Sequence, residues 1–332
     1  MADYININGN NIPIRASDPT NPIEGEVWYN LTTNALKGQG FQAGAWTTGN
    51  NMTGTSLRAF QSTGSYTSAV ANGGVSSTAH INQTSEWDGT SWSTSTGSPV
   101  SAYSRVGFGT QTAAVFAGGQ NGPSTVYNTI NEYNGATWTT SPGTLAQPTR
   151  AARGAGTQTA GFIAAGSDGD PPTKLNQAYD YDGTSMTAVT SAPTAVDNAG
   201  GSGSSESAFL LYGGNSPSGI TGLTNDWNGA AWTTVNSLNN AAQNVAGTFS
   251  SSTSALFAAT SWPAVAPNEQ WDGTCWSVIA NLNTQRANGC GSGTGDNAFV
   301  AGGYDNSGPD QNTLATELWA GAGPTTVTFS SS

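Results

Sequence analysis

Apolar residues in this chain collect into short runs, and each run stops at small residues. Ala114-Val115-Phe116-Ala117 runs into Gly118-Gly119, Phe162-Ile163-Ala164-Ala165 into Gly166, Phe209-Leu210-Leu211-Tyr212 into Gly213-Gly214, and Ala298-Phe299-Val300-Ala301 into Gly302-Gly303. Ala255-Leu256-Phe257-Ala258 ends instead at Ala259-Thr260, and Ala69-Val70-Ala71-Asn72 before Gly73-Gly74 is a weaker first copy. A continuous apolar run bounded by glycine is the pattern of a strand covered on both faces. No segment sustains a helical period. Val, Thr, Tyr, Phe and Trp stand in short stretches separated by Gly, Asn, Asp, Ser and Pro, which is strand-and-turn chemistry.

A second pattern runs in phase with the first. An aromatic residue precedes Asp-Gly or Asn-Gly, and a Trp follows three residues after the glycine. The copies are Trp87-Asp88-Gly89-Thr90-Ser91-Trp92, Tyr133-Asn134-Gly135-Ala136-Thr137-Trp138, Tyr181-Asp182-Gly183-Thr184-Ser185-Met186, Trp227-Asn228-Gly229-Ala230-Ala231-Trp232 and Trp271-Asp272-Gly273-Thr274-Cys275-Trp276, with a worn copy at Trp319-Ala320-Gly321. The glycines at 89, 135, 183, 229, 273 and 321 step by 46, 48, 46, 44 and 48 residues. Asp-Gly or Asn-Gly between strands is the strongest short hairpin signal, because both residues tolerate positive φ. Within one unit the order is strand Arg105 to Thr110, strand Ala113–Ala117, a longer loop, strand Tyr127–Tyr133, the tight turn, and strand Thr137–Thr140. Four antiparallel strands repeating at this period predict an all-β fold, a six-bladed β-propeller.

The glycine pair after the second strand, the aromatic before the turn and the Trp of the fourth strand resemble the kelch repeat over about residues 46 to 329. Some copies depart from it: Ala259-Thr260 replaces the glycine pair, Met186 the Trp, and Gly323 or Pro324 falls at the last Trp position. The Asp-Gly-Xaa-Ser-Trp turn also resembles the sialidase Asp-box, one residue short. In both families that turn is a structural latch. Ala45-Trp46-Thr47-Thr48 reads as a fourth strand standing before the first complete unit. It is expected beside the third strand near Leu318, closing the last blade, with Thr325–Phe329 as its competitor. The up-and-down order puts the second-to-third loops and the fourth-to-first connections on one end, the candidate functional face.

Residues 1–44 lie outside the repeat and 45–332 form the propeller. Glu26–Tyr29 and Ala35–Lys37 flank a polar turn, which predicts a hairpin. The segment Pro22-Ile23-Glu24-Gly25-Glu26-Val27-Trp28-Tyr29-Asn30-Leu31-Thr32-Thr33-Asn34-Ala35-Leu36-Lys37-Gly38 resembles one found in tailed-phage fibre and other virion appendage proteins. That resemblance implies a non-enzymatic virion structural protein present in multiple copies per particle. Its N-terminal segment, with Trp28, Tyr29 and Lys37, would dock on other virion proteins of the tail, neck or capsid. The propeller would face outward toward a host-surface glycan.

Only 8% of residues are charged, yet the net charge is −12, and Lys37 and Lys174 are the only lysines. Such a surface repels phosphates, so a nucleic-acid partner is not expected. A surface of Ser, Thr, Asn and Gln is common in extracellular and virion fibres. The start Met1-Ala2-Asp3-Tyr4-Ile5 has neither region of a secretory signal, and no apolar stretch is long enough to insert in a membrane. Cys275 and Cys290 read as small buried packing residues in different strands.

Chemistry-bearing residues are few. His80 is the single histidine. A kelch-type copper oxidase site needs two histidines, and a zinc site or a His-based triad would rest on this one residue. No metal or other cofactor is therefore expected, and no catalytic residue is assigned. Asp168-Gly169-Asp170 falls short of the ligand count of a calcium loop. Arg58, Arg105, Arg153 and Arg286 recur near the starts of first strands, where guanidinium groups lining a channel could hold a carboxylate. The tryptophans at repeat positions read as packing between blades. Trp262, in a long loop off the repeat, and Tyr304 are the candidate ligand or partner contacts. The alternative reading is a carbohydrate-active propeller enzyme or a glycan-binding lectin.

Overall fold

A computed structural model describes residues 12–169, 171–245, 248–258, 267–305 and 312–329. The described residues form strands, turns and bends with no helix, and the fold is all-β and propeller-like. The chain divides into two compact units, residues 46–320 and residues 1–45 with 321–332.

The larger unit is a succession of antiparallel sheets. Gln61–Ser65, Ser68–Asn72, Thr84–Trp87 and Trp92–Ser95 form one; Val106–Thr110, Ala113–Ala117, Thr129–Tyr133 and Trp138–Thr144 the next; Arg153–Thr157, Ala160–Ala164, Ala178–Tyr181 and Met186–Val189 a third. Gly200–Ser205, Ala208–Tyr212, Thr224–Trp227 and Trp232–Val235 follow, then the three-stranded Ala255–Phe257, Glu269–Trp271 and Trp276–Val278. The first strands neighbour one another in turn, and Cys290–Gly293 lies beside Gln61–Ser65. Thr248–Phe249 departs from the repeat. It pairs in parallel with Gly200–Ser205, where glycines at 200, 201 and 203 let another backbone come close.

In the last sheet Cys290–Gly293, Asn297–Ala301 and Thr316–Ala320 are joined by Ala45–Thr48, whose Trp46 opens this unit. Gly49 N donates to Thr316 O at 2.8 Å. The Trp46 strand therefore holds the fourth-strand place. Thr325–Phe329 does not compete for it: Gly323–Phe329 pairs with Ala35–Gln42 in the smaller unit. Residues 321–332, assigned to the propeller from the sequence, thus join the N-terminal segment.

The apolar runs are the second strands, buried on both faces as their pattern required. The fourth-strand tryptophans tie each sheet to its predecessor. Trp92 Nε1 donates to Thr316 Oγ1 at 2.9 Å, Trp138 Nε1 to Thr84 Oγ1 at 3.2 Å and Trp276 Nε1 to Thr224 Oγ1 at 2.9 Å. A buried indole N–H needs such a partner.

In the tight turns only the glycine uses the freedom to take positive φ. The glycines take φ between 90° and 94° at positions 89, 135, 183, 229 and 273, but the preceding Asp or Asn does not adopt positive φ. Glycine is the first central residue, as in a turn primed at that position alone. The Asp or Asn works through its side chain. Asp88 Oδ1 accepts from Thr90 N at 2.8 Å and Ser91 N at 2.7 Å, and Asn134 Oδ1 accepts from Ala136 N and Thr137 N at 3.0 and 2.8 Å. Asp and Asn share an acceptor oxygen at this place, which is why they interchange along the repeat.

Candidate functional site

The larger unit has two ends, and the structure makes them different. At the long-loop end the second-to-third connections carry small hairpins, Gln120–Asn121 with Thr125–Val126, Ser167–Asp168 with Thr173–Lys174, and Asn215–Ser216 with Gly219–Ile220. Each is bridged to the connection that enters a first strand, through Tyr103↔Gln120, Arg150↔Ser167 and Asp197↔Asn215. Arg58↔Val75 and Ala287↔Tyr304 repeat the pattern.

Next to these bridges lies a feature that the sequence gives no sign of. Ala59, Ser104, Ala151, Asn198, Asn244 and Asn288 all adopt left-handed φ between 52° and 62°. Five of them are linked head to tail by backbone hydrogen bonds to the residue before them in the circuit. Ser104 N donates to Ala59 O, Ala151 N to Ser104 O, Asn244 N to Asn198 O, Asn288 N to Asn244 O and Ala59 N to Asn288 O. Left-handed φ in alanine is costly, about 1–2 kcal/mol, and persists where surrounding bonds over-determine it. Ala59, Ser104 and Ala151 are not residues that favour this conformation, so composition hides the feature. Side chains of Ala59, Ser104, Asn198 and Asn288 line a cavity of only about 10 Å³ here. The axis is constricted at this end.

The four arginines do not form a set. Relative to the left-handed residue of its own unit, Arg58 stands one before, Arg105 one after, Arg153 two after and Arg286 two before. Arg105 is 0% exposed and is spent on internal acceptors, Asn72 Oδ1 at 2.9 Å, Phe116 O at 2.6 Å and Asn131 Oδ1 at 2.6 Å. Burial pulls its guanidinium down to about 9, still protonated at neutral pH. Arg153 is buried on Ala152 O and Val245 O, its pKa pulled by burial to about 10. Arg286 is buried in an ion pair with Glu317, which also accepts from the Asn283 and Thr284 amides. A carboxylate ligand cannot reach these three. Arg58 alone is partly exposed, its guanidinium 5.3 Å from the Tyr304 ring centre. Near it in the circuit His80 stacks on Tyr103 with ring centres 5.1 Å apart, and its Nδ1 is 2.8 Å from Asn121 Oδ1. Trp262, with the loops at 259–266 and 306–311, lies outside the described residues.

At the opposite end, among the tight turns, a funnel of about 420 Å³ opens along the axis between the ends of the first strands. Its lining mixes hydroxyl and amide side chains and glycine backbone with Phe108, Ala155 and Phe249, and includes no charged residue. The expectation of one functional face, at the long loops, missed it. Its signal was present in the first strands, where Gly109-Thr110, Gly156-Thr157 and Gly203-Ser204 recur in phase.

In the smaller unit, Ile14–Arg15, Val27–Asn30, Ala35–Gln42 and Gly323–Phe329 form one sheet. Trp28 and Lys37 are fasteners inside it rather than exposed docking groups. Trp28 is 0% exposed, and Trp28 Nε1, Asn30 Nδ2 and Lys37 Nζ all donate to the Asp18 carboxylate at 2.9, 2.5 and 2.6 Å. Those bonds hold Asp18 down at about 2. Tyr29 is half-buried and its hydroxyl donates to Asn34 Oδ1 at 2.5 Å. The register aligns Ile14, Tyr29, Leu36 and Phe329 in one cross-strand row, and directly paired residues share a face. Ile14 is 70% exposed, Phe329 50% and Val327, one row on, 41%. Among the described residues, six of the nine exposed large apolar ones belong to this unit, so exposed apolar surface is concentrated there.

No protein-family model matches the chain, and no curated protein matches it. Among solved structures, that of YjhT superposes with a TM-score of 0.66 at 10% identity, covering 82% of this chain and 99% of that one. At this identity the likeness is one of fold.

Proposed function

We propose that this chain is a non-enzymatic virion appendage protein, a fibre, spike or decoration module. In this reading the larger unit is a six-bladed kelch-like propeller displayed outward. The smaller unit is the anchor, docking on another virion protein in multiple copies per particle. The observation that carries the reading is the apolar row Ile14, Tyr29, Leu36 and Phe329, exposed at Ile14 and Phe329, on a unit distinct from the propeller. Exposed apolar patches of this kind mark interaction surfaces. The resemblance of residues 22–38 to phage appendage segments supports the same partner class. Trp28, Asp18 and Lys37 then serve to hold the sheet that presents the row.

The test is incorporation. Ile14→Asp with Phe329→Asp leaves the Asp18 fastening untouched and puts charge on the row. The double variant should fold, melt as the parent does in its main transition, and fail to join particles. Normal incorporation would remove this surface as the anchor.

A further inference from the structure

We infer that the tight-turn funnel is a binding site for a neutral sugar or short neutral oligosaccharide. The inference goes beyond the appendage reading, and its test on the isolated chain does not depend on where the anchor docks.

Size permits it: about 420 Å³ lies within the roughly 300–1,000 Å³ of small-molecule sites. The chemistry of the wall selects the ligand. Thr63 and Ser68 donate to Gly109 O and Gln111 Oε1, so their hydroxyls are committed to the framework. The Thr110, Thr112 and Ser204 hydroxyls make no such bond, and that of Thr157 only accepts, from Ala160 N. These four present donors and acceptors toward the opening, as water or a sugar hydroxyl requires. Phe108 and Phe249 are buried beneath this lining, and the accessible carbon surface between the hydroxyls belongs to the threonine and glycine residues. Gly109 and Gly156, at φ 107° and 98°, leave no room for a side chain, since a Cβ would stand 2.3 Å from the Ala113 and Ala160 carbonyls. These positions therefore keep glycine, and with it a fixed backbone path, at the funnel. Hydroxyls interleaved with carbon surface match the alternating hydroxyl and C–H surface of a sugar.

Electrostatics exclude acidic sugars. Glu206 and Asp296 sit in turns between first and second strands beside the funnel, and Asp88, Asp182 and Asp272 in the outer turns of the same end. The unit's partly exposed cations, Arg58, Arg150 and Lys174, all lie at the long-loop end. An anion approaching the funnel meets repulsion with no cation to receive it.

The experiment measures binding to the purified full chain by saturation-transfer NMR and calorimetry. The probes are methyl α-galactoside, maltotriose and chitobiose as neutral sugars, and galacturonate as the acidic control. At least one neutral probe should bind, and galacturonate should not. Ser204→Trp, which fills the funnel, should abolish the signal. Thr110→Val with Thr157→Val keeps shape but removes two hydroxyls, and should weaken binding about tenfold. Arg58→Ala should change nothing. Absence of binding by every neutral probe overturns the proposal. So does unchanged affinity in the double valine variant, or loss of binding in Arg58→Ala with its melting temperature intact.

Discussion

Trp46→Ala tests how the larger unit is held together across its sequence ends. Trp46 is 6% exposed and packs in a cluster with Trp319, Leu282 and Val300, its ring centre 5.3 Å from that of Trp319. Its Nε1 donates to Ala280 O at 2.9 Å, and Asn283 Nδ2 donates to its carbonyl at 3.2 Å. Truncating a buried Trp to Ala costs about 3–5 kcal/mol through lost transfer energy and the cavity left behind. Losing the indole's hydrogen bond to the Ala280 carbonyl, which then keeps only Asn268 Nδ2 at 3.3 Å, adds about 1 kcal/mol. A loss of about 4–6 kcal/mol is a large part of the 5–15 kcal/mol that typically holds a domain. Trp46→Phe keeps most of the packing but not the hydrogen bond, so about 1–2 kcal/mol is expected. Equilibrium urea unfolding followed by far-UV circular dichroism avoids the change in fluorophores. Deleting residues 321–332 should cost the same transition less, because that segment belongs to the other unit. A Trp46→Ala loss below about 1 kcal/mol, or a larger loss from the C-terminal deletion, would show that the Trp46 strand does not close the sheet.

Gly135→Val places a β-branched residue at φ 90° with its Cβ 3.1 Å from Thr112, and should lower stability by about 1–3 kcal/mol in the same titration; an unchanged midpoint would contradict the turn geometry. Asp88, Asp182 and Asp272 are held below the ordinary carboxylate value of 3.8 by turn amides and hydroxyls. Because the folded values are depressed, their contribution is fully present above the unfolded pKa and is lost as pH falls from there through the folded values. Replacing all three by Asn, which already serves at Asn134 and Asn228, should flatten the stability profile between about pH 5 and about pH 2; an unaltered profile would refute the assignment. Cys275 is exposed in its turn whereas Cys290 is buried, its thiol pushed by burial to about 12, so a thiol reagent should titrate one group in the native protein and two in denaturant. Arg286→Met leaves Glu317 buried without its ion pair and should cost about 3–5 kcal/mol, and a near-neutral effect in a thermal melt would mean that Glu317 is satisfied by the Asn283 and Thr284 amides alone.

Much of this architecture was legible in the amino-acid order. Runs such as Phe209-Leu210-Leu211-Tyr212 must be covered on both faces, and the in-phase Asp-Gly and Asn-Gly turns set four short strands per repeat. Trp46-Thr47-Thr48 announced itself as a displaced fourth strand because it matches Trp138-Thr139-Thr140. These are local signals: side-chain volume, turn chemistry and spacing act within a few residues. Roles that depend on direction were not legible. Arg58, Arg105, Arg153 and Arg286 share a neighbourhood in the sequence, but each stands at a different offset from the left-handed residue of its repeat, and three of the four are buried. Cys275 and Cys290 are equally small, yet one sits in an exposed turn and the other within a strand. The anchor residues show the same limit: Trp28 and Lys37 looked like docking groups, and the fold uses them to fasten Asp18.

The composition of the repeat therefore determined that this chain is all-β and propeller-like, because each repeat must bury the same faces against its neighbours. Tertiary structure alone decided where the chain's ends go, since Ala45–Thr48 and Gly323–Phe329 are both plausible fourth strands and only pairing energy across some 270 residues separates them. It also decided the two ends of the axis. The left-handed circuit through Ala59, Ser104 and Ala151 constricts one end by hydrogen bonds between residues about 45 positions apart, while a funnel opens between the first-strand ends at the other. No local propensity encodes either arrangement, because each exists only once separate repeats surround a common axis.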